Sequence, residues 1–242
     1  MNYIANCSYG KDSLAMVLKI IELNLPLTHV VFYDTGMEFD SIYKMKAQLD
    51  PIVEKYGAKS YVLKPETSFI EKMLLTPVHK RDGNIQYGLD WCGGRCRWAT
   101  GEKIRIIQKF LNEIGEYKQY VGIAYDEPDR VKYENNKLYP LVDLKMTEKD
   151  CLQYCYDNGF YWDEEGIRLY DVLDRVSCYC CSNKNLNELR AIFHKLPKYW
   201  TKLKAMQSRI DRPFRQNATI FDLEQRFLFE DSQAKQLTIF DL

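Results

Sequence analysis

An α/β fold built on a parallel sheet is what the first half of this sequence predicts, and three observations carry the prediction. Short β-branched or aromatic runs recur at YIANC (3–7), THVVFYD (28–34) and AKSYVLKP (58–65). Between them lie segments with apolar residues at helical intervals, first SLAMVLKIIEL and then FDSIYKMKAQLDPIVEKYG. Strand, helix, strand, helix, strand is the order that right-handed crossovers require if neighbouring strands are to run parallel.

Each element has its own signal. In the first helix Leu14, Met16, Val17, Ile20 and Ile21 form the apolar stripe, and Asn24 and Pro26 close it. Asp34, Thr35 and Gly36 end the second strand. The second helix is expected to be kinked or interrupted at Pro51 and to stop at Gly57. The stretch 76–100, TPVHKRDGNIQYGLDWCGGRCRWAT, is long, glycine-containing and carries two cysteines, which suggests a functional loop or lid. GEKIRIIQKFLNEIG (101–115) reads as helix, and KQYVGIAYDEPDR (118–130) as a further strand entering a polar loop. Residues 186–210 are amphipathic and helical, packed on the main body. Beyond about 212 the chain reads as polar and irregular. TIFDL occurs there twice, at 219–223 and 238–242, too short a match to define a repeat architecture.

Composition narrows the class. With 242 residues, 46% of them hydrophobic, the chain can bury a real core. A formal net charge of +0 argues against a generally basic nucleic-acid surface, leaving local patches open. No run of eighteen apolar residues is present, so no membrane span is expected. MNYIANCSYGKD lacks a basic segment followed by an apolar one, so a cytoplasmic, reducing location is expected. Eight cysteines there are expected to be buried thiols, metal ligands or catalysts before disulfides.

SYGKDS (8–13) falls at the carboxyl end of the first strand, where parallel α/β sheets bind ligands. Glycine lets the backbone approach an anion, and the amides that open the helix point at it with the favourable end of the helix dipole. Lys11 adds a charge, and Ser8 and Ser13 add donors. Asp12 suits such a site only if it orients the loop or meets a Mg²⁺ on the phosphates. The pattern is not a Walker loop. Equally open is a plain helix start, capped by Asp or Ser with glycine in the turn. DTGMEF (34–39) adds a carboxylate, a hydroxyl and a flexible glycine at the neighbouring strand end.

Together SYGKDS and FYDTGMEF resemble the adenine-nucleotide α-hydrolase superfamily, which holds the PP-loop ATP pyrophosphatases and the phosphoadenosine phosphosulfate (PAPS) reductase family. GIAYDEPDR (122–130) is similar to that family's late strand, and KLYPLVDLKMTEKDCLQY (137–154) to the segment that follows it. The resemblance spans roughly 3–190. It implies a Rossmann-like parallel sheet of about five strands with flanking helices in a nucleotide-binding domain over 1–185. A helical region and flexible tail would follow over 186–242. It further implies that Ser8, Tyr9, Gly10, Lys11, Asp12 and Ser13 cradle phosphates. Asp34, Thr35, Gly36, Glu38 and Gly122 would lie along the nucleotide, with Lys103 and Arg130 as further cations. Tyr9 departs from the family's second glycine, which narrows the allowed backbone there. The implied chemistry is attack on the α-phosphate of ATP, with Lys11, loop amides and Mg²⁺ offsetting charge on the departing pyrophosphate, and with Lys11, Asp12 and Arg130 as the catalytic residues.

Cys92 and Cys96, and later Cys178 and Cys181, form two pairs with metal-ligand spacing, with Cys180 as a spare. Thiolates select zinc or an iron–sulfur cluster. Within the superfamily the arrangement resembles the cysteine set that holds a 4Fe–4S cluster, although the first pair is C-x-x-x-C here. Buried thiols are the alternative, against which Trp91, Gly93 and Gly94 do not read as core packing. Cys7, Cys151 and Cys155 are expected in the core. His29, His79 and His194 lack metal spacing.

Family reductases use a cysteine on a carboxy-terminal tail, whereas this sequence has none after Cys181. The reading is therefore an ATP- or PAPS/APS-binding enzyme that adenylates a substrate, in sulfur transfer or nucleic-acid modification. The alternatives are a non-catalytic nucleotide-binding accessory subunit and a sulfonucleotide reductase borrowing an external thiol. Finally, QLTIFDL (236–242) resembles the peptide that bacterial proteins insert into the sliding clamp, with Gln236, Leu237, Ile239 and Phe240 as its contacts. Folding back on its own domain, or pairing with another subunit, is the other reading of that tail.

Overall fold

The computed structural model describes residues 1–92, 96 and 100–240, with side chains for 1–92, 96 and 101–233. β1 (Asn2–Asn6) leads into α1 (Lys11–Glu22), β2 (His29–Tyr33) into α2 (Asp40–Lys55), and β3 (Lys59–Leu63) follows. A short helix α3 (Phe69–Leu74) and a hairpin of β4 (Pro77–His79) and β5 (Ile85–Tyr87) come next. α4 (Thr100–Ile114) then returns the chain to β6 (Tyr117–Tyr120) and β7 (Lys137–Leu138). The sheet runs β3-β2-β1-β6-β7, with every neighbouring pair parallel. Strand order therefore reverses between β1 and β6, and that switch point is where such sheets open a ligand crevice.

Alternation along the strands sends side chains to two cores. Ala5, Val30 and Phe32 join a large cluster with α1 and α2, whereas Ile4, Val31 and Tyr33 pack against Ile107 and Leu111 of α4. The sheet is thus covered on both faces. α1 is buried along nearly its whole length and packs against α6 (Glu148–Asp157), which follows the one-turn α5 (Pro140–Asp143). A two-stranded pair, β8 (Asp163–Glu164) and β9 (Ile167–Arg168), precedes α7 (Leu186–Lys195), α8 (Pro197–Gln207) and α9 (Ile220–Phe240). These last helices add Leu189, Ile192, Tyr199, Trp200, Leu203 and Phe227 to the same large cluster.

Four local expectations are revised. α2 continues through Pro51, which is exposed, so the carbonyl left without its amide partner can be hydrated. The strand before Gly122 ends at Tyr120, and GIAYDEPDR is loop with a single 3₁₀ turn at Pro128–Arg130. Residues 220–240, read as irregular, form α9. Thr219 and Asp222 exchange hydrogen bonds at its start, and Ile220, Leu223 and Phe227 are buried. Trp91 is core: it lies edge-on to Phe214 at 4.7 Å, and its Nε1 donates to Gln207 at 3.1 Å. Of the terminal clamp-like peptide, the backbone of 236–240 belongs to α9, while its side chains and residues 241–242 lie outside the described residues, as do Gly93 and Gly94. Among the described residues no helix is long and apolar enough to cross a membrane.

Candidate functional site

The loop between β1 and α1 is shaped by its own residues. Tyr9 takes a left-handed backbone (φ 56°) and turns its side chain into the core, edge-on to Phe32 at 5.1 Å. Its hydroxyl reaches Asp50 at 3.2 Å, and its carbonyl accepts from Trp162 Nε1 at 2.7 Å. Tyr9 is therefore an anchor that bends the loop, and any ligand contact there is through its backbone. The Ser13 hydroxyl accepts from the Ser8 amide and lies 3.1 Å from the Ser8 hydroxyl. Gly10, the N-cap of α1, supplies no side-chain cap. Among the described residues the amides of Gly10, Asp12 and Ser13 meet no protein acceptor, and only that of Lys11 does, donating to the Tyr170 hydroxyl at 2.9 Å. The capped-start alternative is thereby excluded. What remains is a helix N-terminus with open donors at the switch point.

Gly122 closes the loop from the β6 side. A Cβ there would stand 2.9 Å from Ser13 Cα and 3.2 Å from its nitrogen, so only glycine lets the segment after β6 approach the first turn of α1 this closely.

Charges divide around the loop. The Lys11 ammonium contacts Glu148 at 2.5 Å and Asp12 at 3.4 Å. Burial alone would weaken its hold on the proton, but these two carboxylates outweigh it and raise its pKa above the ordinary lysine value. Burial pushes the Asp12 carboxyl up to about 6, against the pull of Lys11. Its Oδ1 is buried with no hydrogen-bond partner among the described residues. Arg130 is exposed and paired with Glu127.

On the other side, a cavity of about 270 Å³ gathers Ser8, Thr35, Glu38, Lys103, Cys92, Cys96, Cys178, Cys180 and Cys181. Three bonds assemble it. The Tyr179 amide donates to the Met37 carbonyl at 3.0 Å, the Ser182 hydroxyl to the Cys92 carbonyl at 2.6 Å, and Thr35 Oγ1 lies 3.5 Å from Cys178 Sγ. The two cysteine pairs, more than eighty residues apart in sequence, thus share one wall system. Glu38 accepts from the Thr35 hydroxyl at 2.7 Å, and burial raises its pKa. Burial lowers the pKa of Lys103, partly offset by Cys178 and Glu38, and it makes no ion pair among the described residues. Burial likewise pushes the Cys178 thiol up to about 12. The set is chemically suited to a soft metal centre. Among the described residues, however, no three His, Cys, Asp or Glu side chains already converge closely enough to hold an ion.

The structure therefore brings Ser8, Thr35, Glu38, Lys103 and the four paired cysteines together. Lys11, Asp12, Gly122 and Arg130 lie on the other side of the loop. Asp34 is spent on the Gly36 amide at 2.8 Å and the Tyr43 hydroxyl at 2.7 Å. Gly36 turns with φ 76°. Cys7, Cys151 and Cys155 are buried in the core. Sequence reasoning missed Glu148, Trp162, Tyr170 and Ser182, which reach the site from 90 to 159 residues away and have no local signature.

A doubly covered parallel sheet with an uncapped glycine loop at its switch point defines a nucleotide-utilising protein of the PP-loop superfamily. Residues 2–163 match the phosphoadenosine phosphosulfate reductase domain, and the chain belongs to that family. The chain is 26% identical over 217 residues to uncharacterized protein MJ0066 of Methanocaldococcus jannaschii; the match covers 81% of this chain and 39% of that relative. Among solved structures, the U34-tRNA thiolase NcsA from Methanococcus maripaludis, with its 4Fe–4S cluster, superposes with a TM-score of 0.43 at 12% identity. That alignment covers 94% of this chain and 70% of the other.

Proposed function

We propose that this protein is an enzyme that binds ATP, or a related adenine nucleotide such as PAPS or APS, and cleaves at the α-phosphate to adenylate a substrate. The observation that carries the reading is the open start of α1, which follows a loop whose Ser8 lines a cavity shared by both cysteine pairs. Those amides would take the phosphates, and Mg²⁺ with the Lys11 ammonium would offset charge on the departing pyrophosphate. Lys11 would exchange Glu148 for phosphate oxygen in doing so. Cys92, Cys96, Cys178 and Cys181 would hold an iron–sulfur cluster or zinc, supplying a soft centre next to the nucleotide. A substrate in sulfur transfer or nucleic-acid modification fits that pairing.

Pyrophosphate release from ATP tests the reading. Wild-type protein is expected to release it in the presence of the acceptor, and Lys11→Ala and Asp12→Ala are expected to lose release. Anaerobic purification with metal analysis tests the thiols: bound iron or zinc should fall on Cys178→Ser and Cys181→Ser substitution, and a colourless, metal-free wild type removes the centre. The second reading is a nucleotide-binding subunit without turnover of its own. The Lys11–Glu148 contact favours it, because it holds the loop's ammonium on a carboxylate. Nucleotide binding without pyrophosphate release would select it.

A further inference from the structure

α1 and α2 both begin at the carboxyl edge of the sheet, and neither has a side-chain cap of its own. In α2 the amide of the first helical residue, Asp40, donates to the Tyr199 hydroxyl at 2.9 Å. The amide of the second, Ser41, donates to Glu164 at 2.6 Å, and the charge of that nearby carboxylate adds to burial in raising the Tyr199 pKa. Glu164 is buried, with 3% of its surface exposed. An internal carboxylate therefore sits on the helix start, accepting the second amide next to the tyrosine that accepts the first.

α1 repeats half of this arrangement. The amide of its first residue, Lys11, donates to the Tyr170 hydroxyl at 2.9 Å. The amide of its second, Asp12, has no protein acceptor among the described residues, and neither has the Tyr170 proton. The tyrosine is fixed in place. Its ring meets Trp162 edge-on at 4.9 Å, and its oxygen stands 3.4 Å from where a Cβ on Gly10 would lie. At α1 the two donors are in position and the anion is what α2 has in addition.

We propose that Tyr170 is a phosphate-binding residue, its hydroxyl donating to the phosphate oxygen that also accepts from the Asp12 amide, in the place where α2 has Glu164 on the Ser41 amide beside Tyr199. The assignment rests on the phosphate loop being a nucleotide site. Tyr170 lies beyond the family-matched span 2–163, so this donor comes from the part of the chain that carries the second cysteine pair. The ligand group is a phosphate ester or anhydride, and the adenosine end does not touch it.

Calorimetric titration with ATP, pyrophosphate and adenosine, in Mg²⁺, tests this in wild-type protein and in Tyr170→Phe. The substitution is expected to weaken ATP and pyrophosphate by about tenfold or more, the range for a hydrogen bond to a charged group, and to leave any adenosine affinity unchanged. Tyr199→Phe is expected to lower the melting temperature while leaving all three affinities as they are. Phosphate ligands binding Tyr170→Phe as tightly as wild type, or more tightly, overturn the assignment while the nucleotide site stands. Wild-type protein that binds neither ATP nor pyrophosphate overturns both. Fluorotyrosine placed at 170 gives an independent readout should the Phe variant not fold: its fluorine resonance should shift with pyrophosphate, and an unmoved resonance at saturation overturns the assignment.

Discussion

α7 and α1 begin in opposite ways. At α7, Asn185 accepts from the Glu188 amide at 2.8 Å, and Glu188 returns a bond to the Asn185 amide at 2.9 Å. Lys184, 3% exposed, then stands 3.8 Å from Glu188. The cap is thus closed by two reciprocal bonds between residues three positions apart. At α1 the cap is Gly10, the loop hydroxyls bond each other, and three amides meet no acceptor among the described residues. A start closed by its neighbours contributes stability, and a start left open gives stability up and is ready for an external anion.

The largest test breaks the closed side. Lys184→Ala leaves Glu188 buried without its cation and is expected to destabilise the fold by about 3 kcal/mol or more in urea denaturation. A loss within a few tenths would show that Glu188 is served by water. At the open side, Asp12 carries a measurable cost. Its folded pKa, raised by burial from 3.8 to about 6, means that the native state holds this proton more tightly than the unfolded chain. Its contribution is full below the lower value and is lost as pH rises through the higher one, on the order of 1–3 kcal/mol. Asp12→Asn should flatten the stability profile across that window, and an unchanged profile would place the titration elsewhere.

Gly122→Ala drives a methyl group against the Ser13 backbone and is expected to cost about 1–3 kcal/mol, with weaker ATP binding in the same preparation. Asn185→Ala removes the α7 cap for about 1 kcal/mol and should leave nucleotide affinity untouched. The smallest effect sharpens the comparison most. Gly10→Ser gives α1 a cap of its own, expected to raise stability by a few tenths of a kcal/mol while lowering affinity for pyrophosphate. Tighter pyrophosphate binding in that variant would show that the open amides are not where phosphate goes.

What was legible in advance follows from range. The β1–α1–β2–α2–β3 alternation depends on spacing within ten or so residues, and it is present as read. SYGKDS and the cysteine pairs are likewise contiguous signals. α9 was missed although Thr219 and Asp222 spell its start, because the polar composition that follows masks three buried apolar positions. β7 is two residues long, too short for any periodicity to show. Trp91 looked like a loop residue because the Gln207 and Phe214 that bury it are more than a hundred residues away.

By itself, then, the sequence determined the order of strands and helices, the glycine bend after β1 and which residues carry thiols. Periodicity and turn chemistry act between neighbours, so they are written locally. Only the tertiary structure decided that Tyr9 faces inward and that Lys11 rests on Glu148. It alone also decided that both cysteine pairs line one cavity and that Tyr170 meets the phosphate loop. Those contacts join residues 137 to 159 apart in several cases, and they exist because burying two continuous apolar surfaces brings distant segments to the same sheet edge.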